Sequence, residues 1–174
     1  MHEQTPQDAP LGTAEITALT VIMVEDCPKQ AADITAAFAR HGDTVIWVWD
    51  PADFLAIANA NVSRIDGFIV DRALVKVISR DVCQPNDGLV KAWELRRDVT
   101  FAYIPIVVYS SGWNSEDRLD EPWFVGQGVF LCDSCAGEDI RNTLLKVLGR
   151  GPWQYLENTS ENRRLSPTAN RRSD

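Results

Sequence analysis

Apolar positions fall along this chain in two alternating patterns. Leu19-Thr20-Val21-Ile22-Met23-Val24 is a short run, apolar on both sides, of the kind a buried parallel strand requires. Pro28 suits the first turn of a helix, Ala32, Ile34, Ala36, Ala37, Phe38 and Ala39 give that helix an apolar side, and Gly42 ends it. The alternation then repeats. Residues 44–49 form a second strand run. Asp50-Pro51 reads as an N-cap followed by proline at the first helical position, ahead of Phe54, Leu55 and Ile57. Residues 65–70 form a third run, and after a long connection Leu89, Val90, Trp93 and Leu95 mark a helix over 88–99. Residues 104–109 are the fourth run. Residues 115–127 have room for a helix that Pro122 would break or restart, and 129–132 are the fifth run. Ile140, Leu144, Leu145 and Leu148 line one side of a last helix over 138–148.

Five short strands alternating with helices predict an α/β three-layer sandwich, a parallel sheet with helices on both faces. Its expected strand order is the flavodoxin-like 2-1-3-4-5, which puts every strand's C-terminal end on one rim, where such sheets bind ligands. Residues 18–149 are expected to form this domain. Residues 1–17 read as a flexible lead and 150–174 as a polar tail.

Composition narrows the function classes. A hydrophobic content of 45% over 174 residues suits one packed domain. A formal charge of −8 makes general nucleic-acid binding a poor expectation. No apolar run is long enough to span a bilayer, and the N-terminus lacks the basic start and apolar core of a signal peptide. A cytoplasmic protein follows as the expectation, with its four cysteines mostly reduced.

The residues that follow each strand run are chemically distinctive. The first run ends in Glu25-Asp26, the third in Asp71, the fourth in Ser110-Ser111-Gly112 and the fifth in Cys132-Asp133. In the expected sheet the first and third strands are neighbours, so three carboxylates converge. Like charges at that spacing repel unless a cation joins them. Hard oxygen ligands with room for water favour Mg²⁺, which also suits phosphoryl transfer by neutralising the oxygens of the moving group. A carboxylate beside such an ion can act as nucleophile, and the Ser110 hydroxyl can hydrogen-bond a phosphoryl oxygen. The bland alternative is that each acid caps a helix or forms a turn.

Taken in order, these segments resemble the response-regulator receiver family. Val21-Ile22-Met23-Val24-Glu25-Asp26 resembles its first strand and acidic pair. Gly67-Phe68-Ile69-Val70-Asp71 resembles the strand ending in the phospho-acceptor. Residues 104–111 resemble the segment ending in the switch hydroxyl, and Gly128-Val129-Phe130-Leu131 the fifth strand with its switch aromatic. Asn86-Asp87-Gly88 resembles the turn that opens the third helix. The likeness runs over roughly residues 18–149, and its motifs are specific through their order and spacing rather than singly.

The resemblance implies a two-component signalling protein with no attached output domain. Asp71 would be the phospho-acceptor, Ser110 the switch hydroxyl and Phe130 the switch aromatic. Mg²⁺ would be held weakly by Glu25, Asp26, Asp71 and the backbone carbonyl of Ala73. A histidine kinase or phosphotransfer protein would supply the phosphoryl group, and a downstream protein would read the altered face of the fourth helix, fifth strand and last helix. A homodimer is also open. The only catalysis implied is the receiver's own phosphorylation and dephosphorylation.

Two features depart from the family. Asp133 stands where the family has a lysine, and Ser134 where it has a proline. Arg72 and Lys76 are nearby cations, read either as solvated loop residues or as substitutes for that lysine. The connection 72–87 is longer than usual and carries Leu74, Val75, Val77 and Ile78, which fit a lid, a partner surface or an extra packed element. Cys27, Cys83, Cys132 and Cys135 should all lie on the functional rim, as ordinary thiols or as a zinc or redox group. Trp47, Trp49 and Trp93 are expected in or against the core. Trp113, Trp123 and Trp153 are candidates for a contact surface, and His41 suits the end of a helix.

Three functions remain open on these residues: a phosphorylatable receiver, a pseudo-receiver that binds proteins without phosphorylation, and a metal-dependent phosphatase-type enzyme. The last calls for an acid or base two residues after the nucleophile, where this chain has Ala73.

Overall fold

The computed structural model describes residues 18–74, 87–113, 121–122 and 124–148. The predicted lead, the tail and the segment 75–86 lie outside these residues. The sheet has five parallel strands in the order β2-β1-β3-β4-β5, as the alternation predicts. The strands are β1 (Thr20–Val24), β2 (Thr44–Val48), β3 (Gly67–Asp71), β4 (Ile106–Tyr109) and β5 (Val129–Cys132). Four helices are named here: α1 (Pro28–Ala39), α2 (Phe54–Asn61), α3 (Asp87–Arg97) and α4 (Gly137–Leu148). Residues 121–122 and 124–126 are also helical, so Pro122 stands at a helical position.

Alternation along the strands divides the core in two. Ile22, Val24, Phe68, Val70, Ile106 and Val108 pack on one face with Phe54 of α2 and Leu95 of α3. Val21, Met23, Ile69, Val107 and Tyr109 pack on the other with Ile34 and Phe38 of α1 and Ile140 and Leu144 of α4. Burial on both faces is why β1, β3 and β4 lack the polar alternation of a half-exposed strand. Phe68 packs edge-on against Phe54 and Phe101, with ring centroids 5.7 and 5.5 Å apart. Among the described residues, no helix is long and apolar enough to cross a membrane.

Several local expectations are corrected. The second helix begins at Phe54, because Asp50 and Pro51 form a turn: Asp50 Oδ1 accepts the Ala52 N–H at 2.8 Å. The buried side of α1 is Ala31, Ile34, Ala37 and Phe38, so Ala32, Ala36 and Ala39 face outward. Trp47 and Trp49 are 40% and 58% exposed. β2 is an edge strand, and both side chains stand on one side of it with ring centroids 5.7 Å apart. Leu74 is fully buried in the α2/α3 core, so the first apolar residue of the long connection belongs to the domain itself.

Candidate functional site

The register of β1 with β3 builds the site. Val24 lies opposite Val70, so the residues that follow, Glu25 and Asp71, come level at the C-terminal rim. Carboxylate oxygens of Glu25, Asp26 and Asp71 lie within 4.8 Å of one another. This is the convergence expected from the strand ends.

The surroundings shape each acid. Glu25 is 1% exposed. Its Oε1 accepts the Cys27 N–H at 2.7 Å and its Oε2 accepts the Tyr109 hydroxyl. Burial pushes its carboxyl up to about 7; the two donors oppose that rise, and the charges of Asp71 and Asp26 add to it. Asp71 Oδ1 accepts the Ala73 N–H at 3.1 Å. Burial also raises the Asp71 carboxyl, against the Ala73 N–H and with Asp26 adding to the rise, while the Arg72 charge lowers it. A pocket that strains its own carboxylates in this way fits a divalent cation, whose charge would relieve both burial and mutual repulsion. Glu25, Asp26 and Asp71 are the side chains that would hold it.

The third helix presses on the same strand end. The Gly88 N–H donates to the Arg72 carbonyl at 3.3 Å. A Cβ at position 88 would stand 2.0 Å from the Asp71 carbonyl oxygen. Glycine at position 88, the second residue of α3, is therefore required by the approach of this helix to Asp71.

Ser110 follows the last residue of β4 and is buried. Its hydroxyl donates to the Gly112 carbonyl at 2.9 Å, and its oxygen lies 3.2 Å from the Gly112 N–H, closing the loop on itself. Phe130 is buried in β5 opposite Val107. Asp133, one residue beyond β5, is exposed. Arg72 departs from the solvated reading. Its guanidinium lies 5.2 Å over the Trp113 ring and donates weakly to the Gly112 carbonyl at 3.4 Å. Trp113 in turn donates to the Cys132 carbonyl at 3.1 Å, so Arg72 leans on the loop that carries Ser110. Lys76 lies outside the described residues.

Of the cysteines, Cys27 is exposed ahead of α1, Cys132 is buried and Cys135 is half-buried; all three are free thiols. Burial, with the Asp71 charge second, pushes the Cys135 thiol up, opposite to what a reactive thiolate needs. Among the described residues, Glu25, Asp26 and Asp71 are the group placed to hold a metal. Cys83 lies outside them.

Tyr109 is the site residue that sequence reasoning missed. A phenol closing an otherwise aliphatic central strand needs a buried partner for its hydroxyl, and that was the available signal.

No family model and no curated protein sequence matches the chain. Solved structures do. The chemotaxis response regulator CheY4 of Vibrio cholerae matches with a TM-score of 0.55 at 21% identity, over 75% of this chain and 99% of that one. The phosphorylated cyanobacterial phytochrome response regulator RcpA matches at 0.51 and 23% identity, over 76% and 91%. A Francisella response-regulator receiver domain matches at 0.53 and 18% identity, over 76% and 98%. The chain has the receiver fold, at low sequence identity.

Proposed function

We propose that this protein is a receiver in two-component signalling, accepting a phosphoryl group on Asp71 and acting through protein contacts. The observation that carries the reading is the meeting of Glu25, Asp26 and Asp71 at the rim of a receiver-fold sheet. In this reading Asp71 is the nucleophile, and its carboxylate oxygen forms the new bond to phosphorus as the donor's leaving group departs. Glu25, Asp26 and Asp71, with the Ala73 carbonyl, hold Mg²⁺, which supplies charge neutralisation for the phosphoryl oxygens. Ser110 serves as the switch hydroxyl once its bonds to Gly112 open, and Phe130 as the switch aromatic. The partners are a histidine kinase or phosphotransfer protein and a downstream target. The domain spans residues 18–149.

Intact-mass measurement after treatment with acetyl phosphate and Mg²⁺ tests this. Wild type should gain one phosphoryl group and Asp71→Ala none. Equal labelling of the two proteins, or labelling of neither, would refute the assignment of Asp71.

The second reading is a pseudo-receiver that binds proteins without phosphorylation. Asp133 favours it, because an acid just beyond β5 adds negative charge to the rim where phosphoryl charge would arrive. Failure of wild type to label would select this reading.

A further inference from the structure

The Tyr109 hydroxyl is tied to the acidic cluster by a contact that spans the sheet. Tyr109 ends β4 opposite Asp71 of β3, and is 1% exposed. Its bonding partner Glu25 follows β1. β1 and β4 are not neighbours, because β3 lies between them. The phenol therefore reaches past the end of β3, from the α1/α4 core that encloses its ring, to a carboxylate of the cluster.

Glu25 is held at both ends. Oε2 takes the phenol and Oε1 takes the Cys27 N–H, so the carboxylate has little freedom to rotate. A ligand fixed in advance loses less entropy when it meets a cation. Residues that hold a ligand in this way influence affinity almost as the ligands do. The neighbour of Tyr109 in the chain is Ser110, whose hydroxyl closes the loop to Gly112.

We propose that Tyr109 is a positioning residue for a divalent cation at Glu25, Asp26 and Asp71, acting through its hydrogen bond to Glu25. The proposal rests on the cation reading of that cluster. The bond places Tyr109 where occupation of the cluster reaches the start of the Ser110 loop.

Mg²⁺ titration by calorimetry of the full chain tests it, with wild type, Tyr109→Phe, Glu25→Gln and the double variant. Tyr109→Phe should weaken Mg²⁺ binding roughly 10-fold. In the Glu25→Gln background the same change should have no further effect, because the two residues act as one unit. A purely structural tyrosine would lower the melting temperature and leave Mg²⁺ affinity unchanged, and that result overturns the proposal. So does an effect that is additive with Glu25→Gln. Wild type that binds no Mg²⁺ overturns the cation reading as well, which separates the two failures. A second measurement does not need the variant to fold. With ring-¹³C tyrosine in wild type, one of three tyrosine signals, that of Tyr109, should move as Mg²⁺ is added. A Tyr109 signal that stays fixed while Mg²⁺ binds overturns the proposal.

Discussion

Buried acids occur at both ends of the sheet, and the two ends treat them oppositely. At the N-terminal edge, Asp43 precedes β2 with its side chain fully enclosed. Arg141 of α4 donates to its Oδ2 at 2.5 Å, and the Leu19 N–H donates to its Oδ1 at 2.9 Å. One charge meets one opposite charge, and both oxygens are satisfied. At the C-terminal edge, three carboxylates share a few ångströms, and the two oxygens of Glu25 are answered by neutral donors. The first arrangement holds α4 to the bottom of the sheet. The second leaves carboxylates that burial and mutual repulsion push up, an arrangement that added positive charge would relieve. Burial alone does not mark a functional acid; what answers its charge does.

The largest expected effect comes from breaking the satisfied end. Arg141→Ala leaves Asp43 buried without its cation and should cost about 3 kcal/mol of unfolding free energy, near the low end for broken buried pairs. Urea denaturation measures it. A loss under ~1 kcal/mol would mean that water or another cation reaches Asp43, and the contrast between the two ends would weaken.

At the other end the sign reverses. Asp26→Asn removes one of the like charges that push up both Glu25 and Asp71. In metal-free buffer it should therefore stabilise the protein, by about 1 kcal/mol. Mg²⁺ should raise the melting temperature of wild type, and Asp26→Asn should reduce that gain. Identical Mg²⁺ responses in the two proteins would show that the cluster does not hold the ion.

These two ends were not equally legible in the sequence. The acidic rim was readable because apolar runs stop abruptly at Glu25-Asp26 and at Asp71, and the parallel topology brings those ends level. The same logic put Ser110 just after the fourth strand, whereas Gly88 was picked out by the family resemblance. Asp43 gave no such sign: an acid after Gly42 looks like a turn former, and its partner lies in the last helix. Trp47 and Trp49 were misjudged because aromatic side chains suggest burial, whereas β2 is an edge strand. Neither reading of Arg72, solvated or substituting for the lysine, includes its place over Trp113, because nothing local announces that ring. The bond from Tyr109 to Glu25 depends on a side chain passing the end of an intervening strand, which periodicity cannot express.

The same cluster also makes stability depend on pH. Burial pushes the Glu25 carboxyl up to about 7 in the folded protein from its ordinary value of 4.5. Between those values the folded state holds a proton that the unfolded state has released. The stability from Glu25 is therefore fully present below about pH 4.5. It is lost as pH rises through about 7, so metal-free protein should weaken across this window. Glu25→Gln should flatten that part of the profile. A wild-type profile that is already flat there would show that Glu25 stays charged and solvated.

The smallest expected effect concerns Asp133, because it is exposed. Water and salt screen an exposed charge, so its influence on Asp71 is far weaker than that of Asp26 within the cluster. Its sign is nevertheless defined. Phosphorylation adds negative charge at Asp71, and an acid beyond β5 opposes each added charge while a lysine would favour it. Asp133→Lys should then raise the phosphorylated fraction a few-fold at fixed acetyl phosphate and Mg²⁺. The difference should shrink as salt is added, since screening removes what the charge contributes. Loop position is the competing factor: Ser134 follows Asp133, and a new lysine is free to extend into solvent. The salt dependence separates the two cases. A gain that persists unchanged in high salt would point to a direct contact between lysine and phosphoryl group. No gain at low salt, with wild type labelling normally, would show that the charge beyond β5 is too well screened to govern the chemistry at Asp71.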